Sequence, residues 1–166
     1  WYLHEMAPCV VHGDLKPKNV MVEFRSPKNL NDTPVVAPHA RLIDFGLSRL
    51  LSKHPQPLGG TRTWNAPEVY VQGNMPLPSS DIFSLGCILF FITNGTRPFY
   101  VSMSSVSSAK DMPPLPWIES SLLYAQARQL CESCVSFDKA GRPRAQEVHA
   151  HVQAWAVAED ADNFLI

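Results

Sequence analysis

The residues whose types could do chemistry lie in three short runs of the chain. Residues 12–19 read His-Gly-Asp-Leu-Lys-Pro-Lys-Asn, residues 44–46 read Asp-Phe-Gly, and residues 66–68 read Ala-Pro-Glu. Carboxylates can accept a proton or a hydrogen bond from a reacting hydroxyl, and hard cations such as Mg2+ prefer oxygen ligands. Each run alone is a common turn or helix start, so the information lies in their order and spacing.

In this order the three runs resemble the catalytic loop, the metal-binding turn and the end of the activation segment of eukaryotic protein kinases. Residues 81–86, 97–99 and 142–143 fit the central helix, its exit and a late Arg-Pro motif of the same family. The resemblance extends roughly from Tyr2 to Trp155. It implies an α+β, protein-kinase-like fold that is mostly helical, with short strands around the catalytic loop. It also implies transfer of the ATP γ-phosphate to a protein hydroxyl.

The resemblance assigns roles to the polar residues of the first two runs. Asp14 would accept a hydrogen bond from the substrate hydroxyl, and Lys16 would offset the charge that grows on the transferred group. The implied cofactors are ATP and Mg2+. Asn19 and Asp44 match the magnesium ligands, and Met21 falls where the family has an apolar floor under adenine.

Other matched residues have structural roles in the family. His12 and Phe45 look like members of the stacked column that links the two lobes of a kinase. Asp81 would tether the backbone around His12. Glu68 would form a buried ion pair with Arg142, and breaking such a pair costs about 3–5 kcal/mol.

Substrate type is suggested by two further positions. Thr61 would hydrogen-bond Asp14 and Lys16, which is a feature of kinases that phosphorylate serine and threonine. The Lys16-Pro17 dipeptide points the same way. Trp64, which precedes Asn65-Ala66-Pro67-Glu68, resembles the residue found there in the tyrosine-kinase-like branch of the serine/threonine kinases.

The chain departs from the family pattern at Gly13, which stands where an arginine usually precedes the catalytic aspartate. Because that arginine pairs with a phosphate on the activation segment, we expect a non-RD kinase whose activity does not need that phosphate. Substitution of Ser48 or Ser52 by alanine tests this expectation, and a large loss of activity would contradict it. Residues 23–39 are also longer than the usual turn, which favours a tolerated surface insertion over a docking segment.

Nothing in the sequence matches the glycine-rich loop, strand lysine, partner glutamate or hinge that cover ATP in the family. We therefore expect residues 1–158 to represent a C-lobe without its N-lobe, and 159–166 to form a tail or linker. Such a fragment would be marginally stable, bind Mg-ATP weakly and be inactive by itself. The alternative is a pseudokinase-like binding or scaffold module. The complete set of Asp14, Lys16, Asn19 and Asp44 favours the enzyme.

Composition narrows the class of protein. The 166 residues are 45% hydrophobic and 17% charged, which is typical of a globular domain. The net charge of −1 does not argue for nucleic acid or a membrane surface as partner. The partners that the resemblance implies are a protein substrate and ATP. Ile82–Ile92 is too short to insert in a membrane.

Four cysteines indicate reduced thiols in a cytoplasmic protein. For Cys131 and Cys134, core packing on a helix is favoured over a zinc site.

Periodicity predicts the elements that must position these residues. We expect a helix end over Trp1–Met6, strands over 9–11, 20–22 and 40–43, and loops over 25–38 and 47–65. A buried helix over 82–92 would be capped by residues 79–81 and stopped by Asn94-Gly95. Two more helices are expected over 118–135 and from Pro143 to about Ala158.

Overall fold

The structure is a computed structural model, and it describes residues 1–25, 37–50, 63–70, 74–99, 106, 108, 111–118 and 122–162. Within these ranges the elements are α1 (Tyr2–Glu5), β1 (Val10–Val11), β2 (Val20–Arg25), β3 (Ala37–Leu42), β4 (Arg49–Leu50), α2 (Pro67–Tyr70), α3 (Pro78–Asn94), α4 (Leu122–Cys134) and α5 (Ala145–Asp162). Short 3-10 turns cover Pro17–Asn19, Phe45–Leu47 and Lys139–Gly141. The mixed helix and strand content agrees with the predicted α+β class.

The strands form two antiparallel pairs on either side of the polar loop. Strand β2 pairs with β3, with Val20 opposite Leu42 and Arg25 opposite Ala37. The loop predicted over 25–38 is therefore wrong at both ends, because the hairpin continues to those residues. Strand β4 pairs with β1. The loop predicted over 47–65 is also wrong at Arg49–Leu50, which form β4. So short a strand depends on its distant partner β1, and local periodicity does not indicate such a pairing.

Helix α3 is the centre of the fold. It begins at Pro78, where the missing proline N–H costs nothing, and Ser80 Oγ accepts the Leu77 N–H at 3.1 Å. The predicted cap at residues 79–81 is wrong, because these residues form the first turn. The predicted stop is confirmed: Gly95 closes the helix with φ +69° and donates its N–H to Phe91 O at 2.9 Å.

Helix α4 packs on α3 at close range. Cys131 and Cys134 are buried, as predicted for core residues, and Cys131 Sγ contacts Gly86 O at 3.2 Å. A Cβ added at Gly86 would lie 2.6 Å from Cys134 Cβ, so only glycine permits this approach. The helix begins at Leu122, and Ile118, predicted as its start, lies outside it and is exposed.

Helix α5 completes the described fold. Arg144 N–H donates to Glu147 Oε2 at 2.7 Å, which caps the first turn. The helix therefore starts at Ala145, after the predicted Pro143, and it ends at Asp162 rather than at Ala158. Val148 packs with Ile82 of α3 and Leu130 of α4. In the part of the chain described, no helix is long and apolar enough to cross a membrane.

Candidate active site

Three of the predicted site residues lie in one hydrogen-bonded cluster. Asp14 is buried, with 5% of its surface exposed, and Lys16 Nζ donates to its Oδ2 at 2.5 Å. The 3-10 turn over Pro17–Asn19 folds the chain back, so that Asn19 Nδ2 donates to Asp14 O at 2.8 Å and to Asp14 Oδ2 at 3.3 Å. A carboxylate, an ammonium group and a carboxamide are therefore held together at one point of the loop.

The start of this loop is held by a buried carboxylate on α3. Asp81, in the first turn of that helix, accepts the His12 N–H through Oδ2 at 2.8 Å and the Gly13 N–H through Oδ1 at 2.9 Å. Hydrogen bonds to an ionised acceptor are among the stronger ones in proteins. The backbone that leads into Asp14 is therefore positioned by α3.

His12 connects the loop to the Asp-Phe-Gly turn. Asp14 N–H lies 3.3 Å from His12 Nδ1, and His12 Nε2 lies 3.1 Å from Ile43 O. A carbonyl can only accept, so Nε2 carries the ring proton and Nδ1 is free to accept from the amide. The His12 and Phe45 rings are in contact, with centroids 4.9 Å apart.

The turn that carries Asp44 is more open. Asp44 is exposed, adopts φ 62° and ψ 66°, and accepts the Gly46 N–H at 3.4 Å. The turn lies beside Asn19, because Ile43 N–H donates to Asn19 O at 3.0 Å. The strained φ of a non-glycine residue is supported by this local hydrogen bond and by the contacts of its neighbours.

The donor set of Asn19 and Asp44 suits magnesium. Both side chains offer oxygen, and the Asn19 amide nitrogen is engaged by Asp14, so its Oδ1 is the atom able to ligate. The described residues hold no cluster of three or more His, Cys, Asp or Glu side chains fit for a metal. Magnesium at phosphate sites usually takes one or two carboxylates and completes its shell with substrate oxygens and water, so two protein ligands are adequate.

Met21 and Thr61 are the other two residues that the resemblance assigns to the site. Met21, on β2, has 58% of its surface exposed. Thr61 lies outside the described residues. The structure thus brings together Asp14, Lys16 and Asn19, places Asp44 beside them, and leaves Met21 on the surface.

A second buried polar site lies where the Ala-Pro-Glu run meets α3. Arg142 donates to Glu68 through two nitrogens, at 2.7 and 2.9 Å, and Ser80 Oγ donates to Glu68 Oε1 at 2.9 Å. Burial opposes ionisation of Glu68, but the hydrogen bond and charge of Arg142 outweigh it and lower the pKa of the carboxyl below its ordinary value. The pair is a bidentate one, the strongest geometry for arginine and carboxylate.

Sequence reasoning missed several side chains that connect these parts. Ser84 Oγ donates to Trp64 O at 2.8 Å, and Ser48 Oγ donates to His12 O at 3.2 Å. His4 Nε2 lies 3.0 Å from Asp81 Oδ2. A hydroxyl within the apolar run of residues 82–92 was a signal for Ser84, because buried polar groups need partners. Nothing local indicated the partners of Ser48 and His4.

Comparison with known proteins places the chain in a family. The sequence profile of the protein kinase domain matches residues 1–153. The chain is 32% identical over 162 residues to the serine/threonine-protein kinase/endoribonuclease IRE1a of Arabidopsis thaliana, which covers 93% of the chain and 17% of that relative. It is 27% identical over 159 residues to the mitogen-activated protein kinase kinase kinase YODA of the same plant, covering 90% of the chain and 16% of the relative.

A third relative comes from an animal. The Caenorhabditis elegans serine/threonine-protein kinase/endoribonuclease ire-1 is 35% identical over 109 residues, which covers 60% of the chain and 10% of that protein. The chain thus spans less than a fifth of the length of each of these relatives. All three relatives are described as protein kinases, two of them as serine/threonine-protein kinases. On the profile match and on these identities, the chain belongs to the protein kinase domain family.

Proposed function

We propose that this chain is the C-lobe of a serine/threonine kinase of the tyrosine-kinase-like branch, which transfers the ATP γ-phosphate to a hydroxyl of a protein substrate. The observation that carries the proposal is the cluster of Asp14, Lys16 and Asn19, in which two buried side chains and one partly buried ammonium share hydrogen bonds. Residues 1–158 are proposed as the kinase segment and 159–166 as a tail or linker, whose first four residues continue helix α5.

Asp14 is the group that meets the substrate hydroxyl. One of its oxygens, Oδ2, is already bound by Lys16 and Asn19, and these two donors hold the carboxylate in one orientation. In this role Asp14 accepts a hydrogen bond from the hydroxyl and later its proton. Lys16 lies within reach of the same point and balances the negative charge of the transferred group.

Asn19 and Asp44 would hold Mg2+ through their side-chain oxygens. When bound, Mg-ATP supplies the phosphoryl group and the positive charge that screens its oxygens. The protein itself keeps Asn19 in place through Asp14, and keeps the Asp44 turn beside it through the Ile43 N–H. Thr61 and the Lys16-Pro17 dipeptide support serine or threonine as the acceptor, in a cytoplasmic protein.

Control of this activity is proposed to be of the non-RD type. Gly13 offers its N–H to Asp81 and has no side chain with which to bind a phosphate. Substitution of Ser48 is no longer a clean test of this idea, because its hydroxyl holds the His12 carbonyl. Ser52 remains the suitable position: we propose that Ser52→Ala keeps full activity.

The 166 residues alone are proposed to be inactive. Met21 and Phe45 expose 58% and 45% of their surface, and Asp44 is exposed as well, so the side that would face the nucleotide is open in the described chain. Calorimetry on the isolated segment should detect at most weak Mg-ATP binding. A micromolar dissociation constant would overturn this proposal.

The test of the proposed function is Asp14→Asn in the complete natural protein, which keeps the size of the side chain and removes its charge. Turnover of a serine-containing peptide should fall by about 10²–10⁴-fold, while ATP binding stays nearly unchanged. The matched control is Asp138→Asn, an exposed aspartate whose side chain, among the described residues, accepts the Ala140 N–H. It should keep full turnover.

The same experiment distinguishes the alternative from a different class. If the wild type binds nucleotide or partner but shows no turnover that depends on Asp14, the chain is a pseudokinase-like binding or scaffold module. Equal turnover of wild type and Asp14→Asn would mean that the role assigned to Asp14 is wrong.

A further inference from the structure

The connection between α3 and α4 contains a proline-rich run that the proposed function does not use. Residues 112–117 read Met-Pro-Pro-Leu-Pro-Trp, and residues 113–118 belong to no helix or strand. Its three prolines, Pro113, Pro114 and Pro116, carry no backbone N–H, so the run cannot take a place inside a sheet. Its conformation is therefore set largely by the restricted backbone of proline itself.

This restricted backbone favours a polyproline II helix. The proline ring holds φ at about −65°, and a residue that precedes proline is kept out of the α region. A polyproline II helix has three residues per turn, so residues three apart lie on the same side. Met112 and Leu115 are such a pair, and both pack against the hydrophobic core that contains Phe90. The inward side chains of the run thus have the spacing of a polyproline II helix.

The other two sides of the run carry the prolines. Pro114 and Pro116 are exposed, and Pro113 is half-buried. Proline rings are apolar, yet these rings remain accessible while Met112 and Leu115 are the side chains packed on the core. The run therefore presents an apolar proline surface to solvent.

The run is fixed to the protein at both ends. Before it, the Asp111 carboxylate accepts the Ser108 N–H at 2.8 Å and the Ser108 hydroxyl at 2.9 Å. After it, the Trp117 ring lies edge-on to Phe90, with centroids 4.9 Å apart, and the Trp117 N–H donates to Leu115 O at 2.9 Å. Because these contacts hold the chain before any partner arrives, a partner that binds the run loses little free energy to ordering it.

Protein domains that recognise polyproline II segments use a surface groove lined by aromatic side chains, which pack on proline rings. We propose that residues 113–116 are a docking site for a WW domain, whose aromatic groove binds the outward prolines. Met112 and Leu115 stay in the core in this complex. A single aromatic groove can hold the prolines without drawing these two side chains away from their packing.

The proposed docking site lies at the opposite end of α3 from the loop around Asp14. Ile118 N–H donates to Asn94 Oδ1 at 3.4 Å, at the last residue of α3, whereas Asp81 in its first turn holds the loop. The two ends of this contact path are about 20 Å apart, because a helix rises about 1.5 Å per residue. The docking site is thus separate from the kinase chemistry, and an active kinase and a scaffold could both use it.

Isothermal titration calorimetry with an isolated WW domain tests the proposal. The probe is a WW domain that binds a synthetic peptide of residues 108–121, and the complete natural protein is then titrated under the same conditions. We expect the dissociation constant of the protein to lie within about threefold of that of the peptide, because the outward prolines are already accessible. Pro114→Ala and Pro116→Ala should each weaken binding about tenfold, in the peptide and in the protein alike.

The matched control is Pro38→Ala, which removes an exposed proline from β3 and should bind the probe as the wild type does. All three variants should keep the far-UV circular dichroism spectrum of the wild type, because the replaced rings are exposed. The peptide carries the same substitutions without any fold to lose, so it separates lost contacts from lost structure.

Several outcomes would overturn the proposal. One is a peptide that binds none of a panel of WW domains. Another is a protein that fails to bind a WW domain which its own peptide binds, since the fold then closes the site. A loss of affinity in the variant proteins without the same loss in the variant peptides would also count against it. None of these measurements depends on turnover, so this proposal and the proposed kinase function can fail separately.

Discussion

The two candidate magnesium ligands sit in contrasting surroundings. Asn19 has 4% of its surface exposed and its amide group is bound to Asp14, whose loop is in turn anchored to α3 through Asp81. Asp44 is exposed and is held by one long hydrogen bond within its own turn. One ligand is therefore fixed by the folded core, while the other is held mainly by local backbone geometry.

This difference follows from which segments the side chains of α3 contact. Its first two turns present Ser80, Asp81 and Ser84 to two separate segments, residues 12–13 and residues 64–68, and each contact satisfies a buried polar group there. The Asp44 turn has no such contact with α3 in the described residues, and its link to the loop runs through His12 and Ile43. The comparison teaches that contacts with the folded core hold the loop around Asp14, whereas the Asp44 turn is held mainly by its own backbone.

The largest effects should separate these two ligands. Asn19→Ala and Asp44→Asn should each lower turnover by at least about 10²-fold, because the first removes a proposed magnesium ligand and the second removes the negative charge of the other. Only Asn19→Ala should also speed hydrogen exchange over residues 10–19, since it leaves the Asp14 carbonyl without its donor. Magnesium titrations of kcat together with exchange measurements check both points. Equal exchange in the two variants would break the comparison.

The next effect concerns the buried ion pair. Arg142→Met should lower the free energy of unfolding by about 3–5 kcal/mol, because it leaves the charge of Glu68 buried without its partner. Arg128→Met is the control, since Arg128 and Glu132 form an exposed pair worth at most about 0.5 kcal/mol. Urea unfolding of the complete protein, monitored by hydrogen exchange in α3 and α5, measures the loss of unfolding free energy in both variants. A similar loss in the two variants would contradict the role given to burial.

A smaller effect is expected where α3 meets α4. Gly86→Ala places a Cβ 2.6 Å from Cys134 Cβ and 2.9 Å from Val135 Cγ1, and such overpacking costs about 1–3 kcal/mol. Gly95→Ala meets no neighbouring atom but must adopt φ +69°, at about 1 kcal/mol.

Thiol labelling distinguishes the two glycine variants. Burial raises the pKa of the Cys134 thiol to about 11 and raises that of Cys131 further, so both should resist alkylation in the wild type. Only Gly86→Ala should expose them. Faster labelling in Gly95→Ala would mean that the strain at the helix end reaches the core.

The smallest effect is the pH dependence from Glu68. Its folded pKa is lowered, so the stability that it contributes is present above its unfolded pKa of about 4.3 and is lost as the pH falls through the folded value. Acid unfolding of the wild type should therefore steepen below about pH 4. Glu68→Gln, already less stable at neutral pH, should lose less on acidification. A parallel decline of both proteins would contradict this assignment.

The sequence predicted the long helix and its end well, because a continuous apolar run followed by Asn94-Gly95 is a local signal. It predicted the core position of Cys131 and Cys134 because two small apolar residues one turn apart on a helix share the face that packs on the core. It failed at the start of α3 and of α5, where the first turn is fixed by Ser80 and Glu147 contacts made one turn later. It also failed at β4, because pairing with β1 depends on a segment far away in the chain.

For the site, order and spacing of the motifs identified the family and brought Asp14, Lys16, Asn19 and Asp44 into consideration. Residue types and local spacing determined these candidates, since the chemistry of a loop resides in its own side chains. The contacts of His4, Ser48 and Ser84 were decided by folding, because each joins segments that are distant in sequence. Burial also decided which polar groups are held rigidly, and burial is a property of the packed molecule rather than of any single stretch of chain.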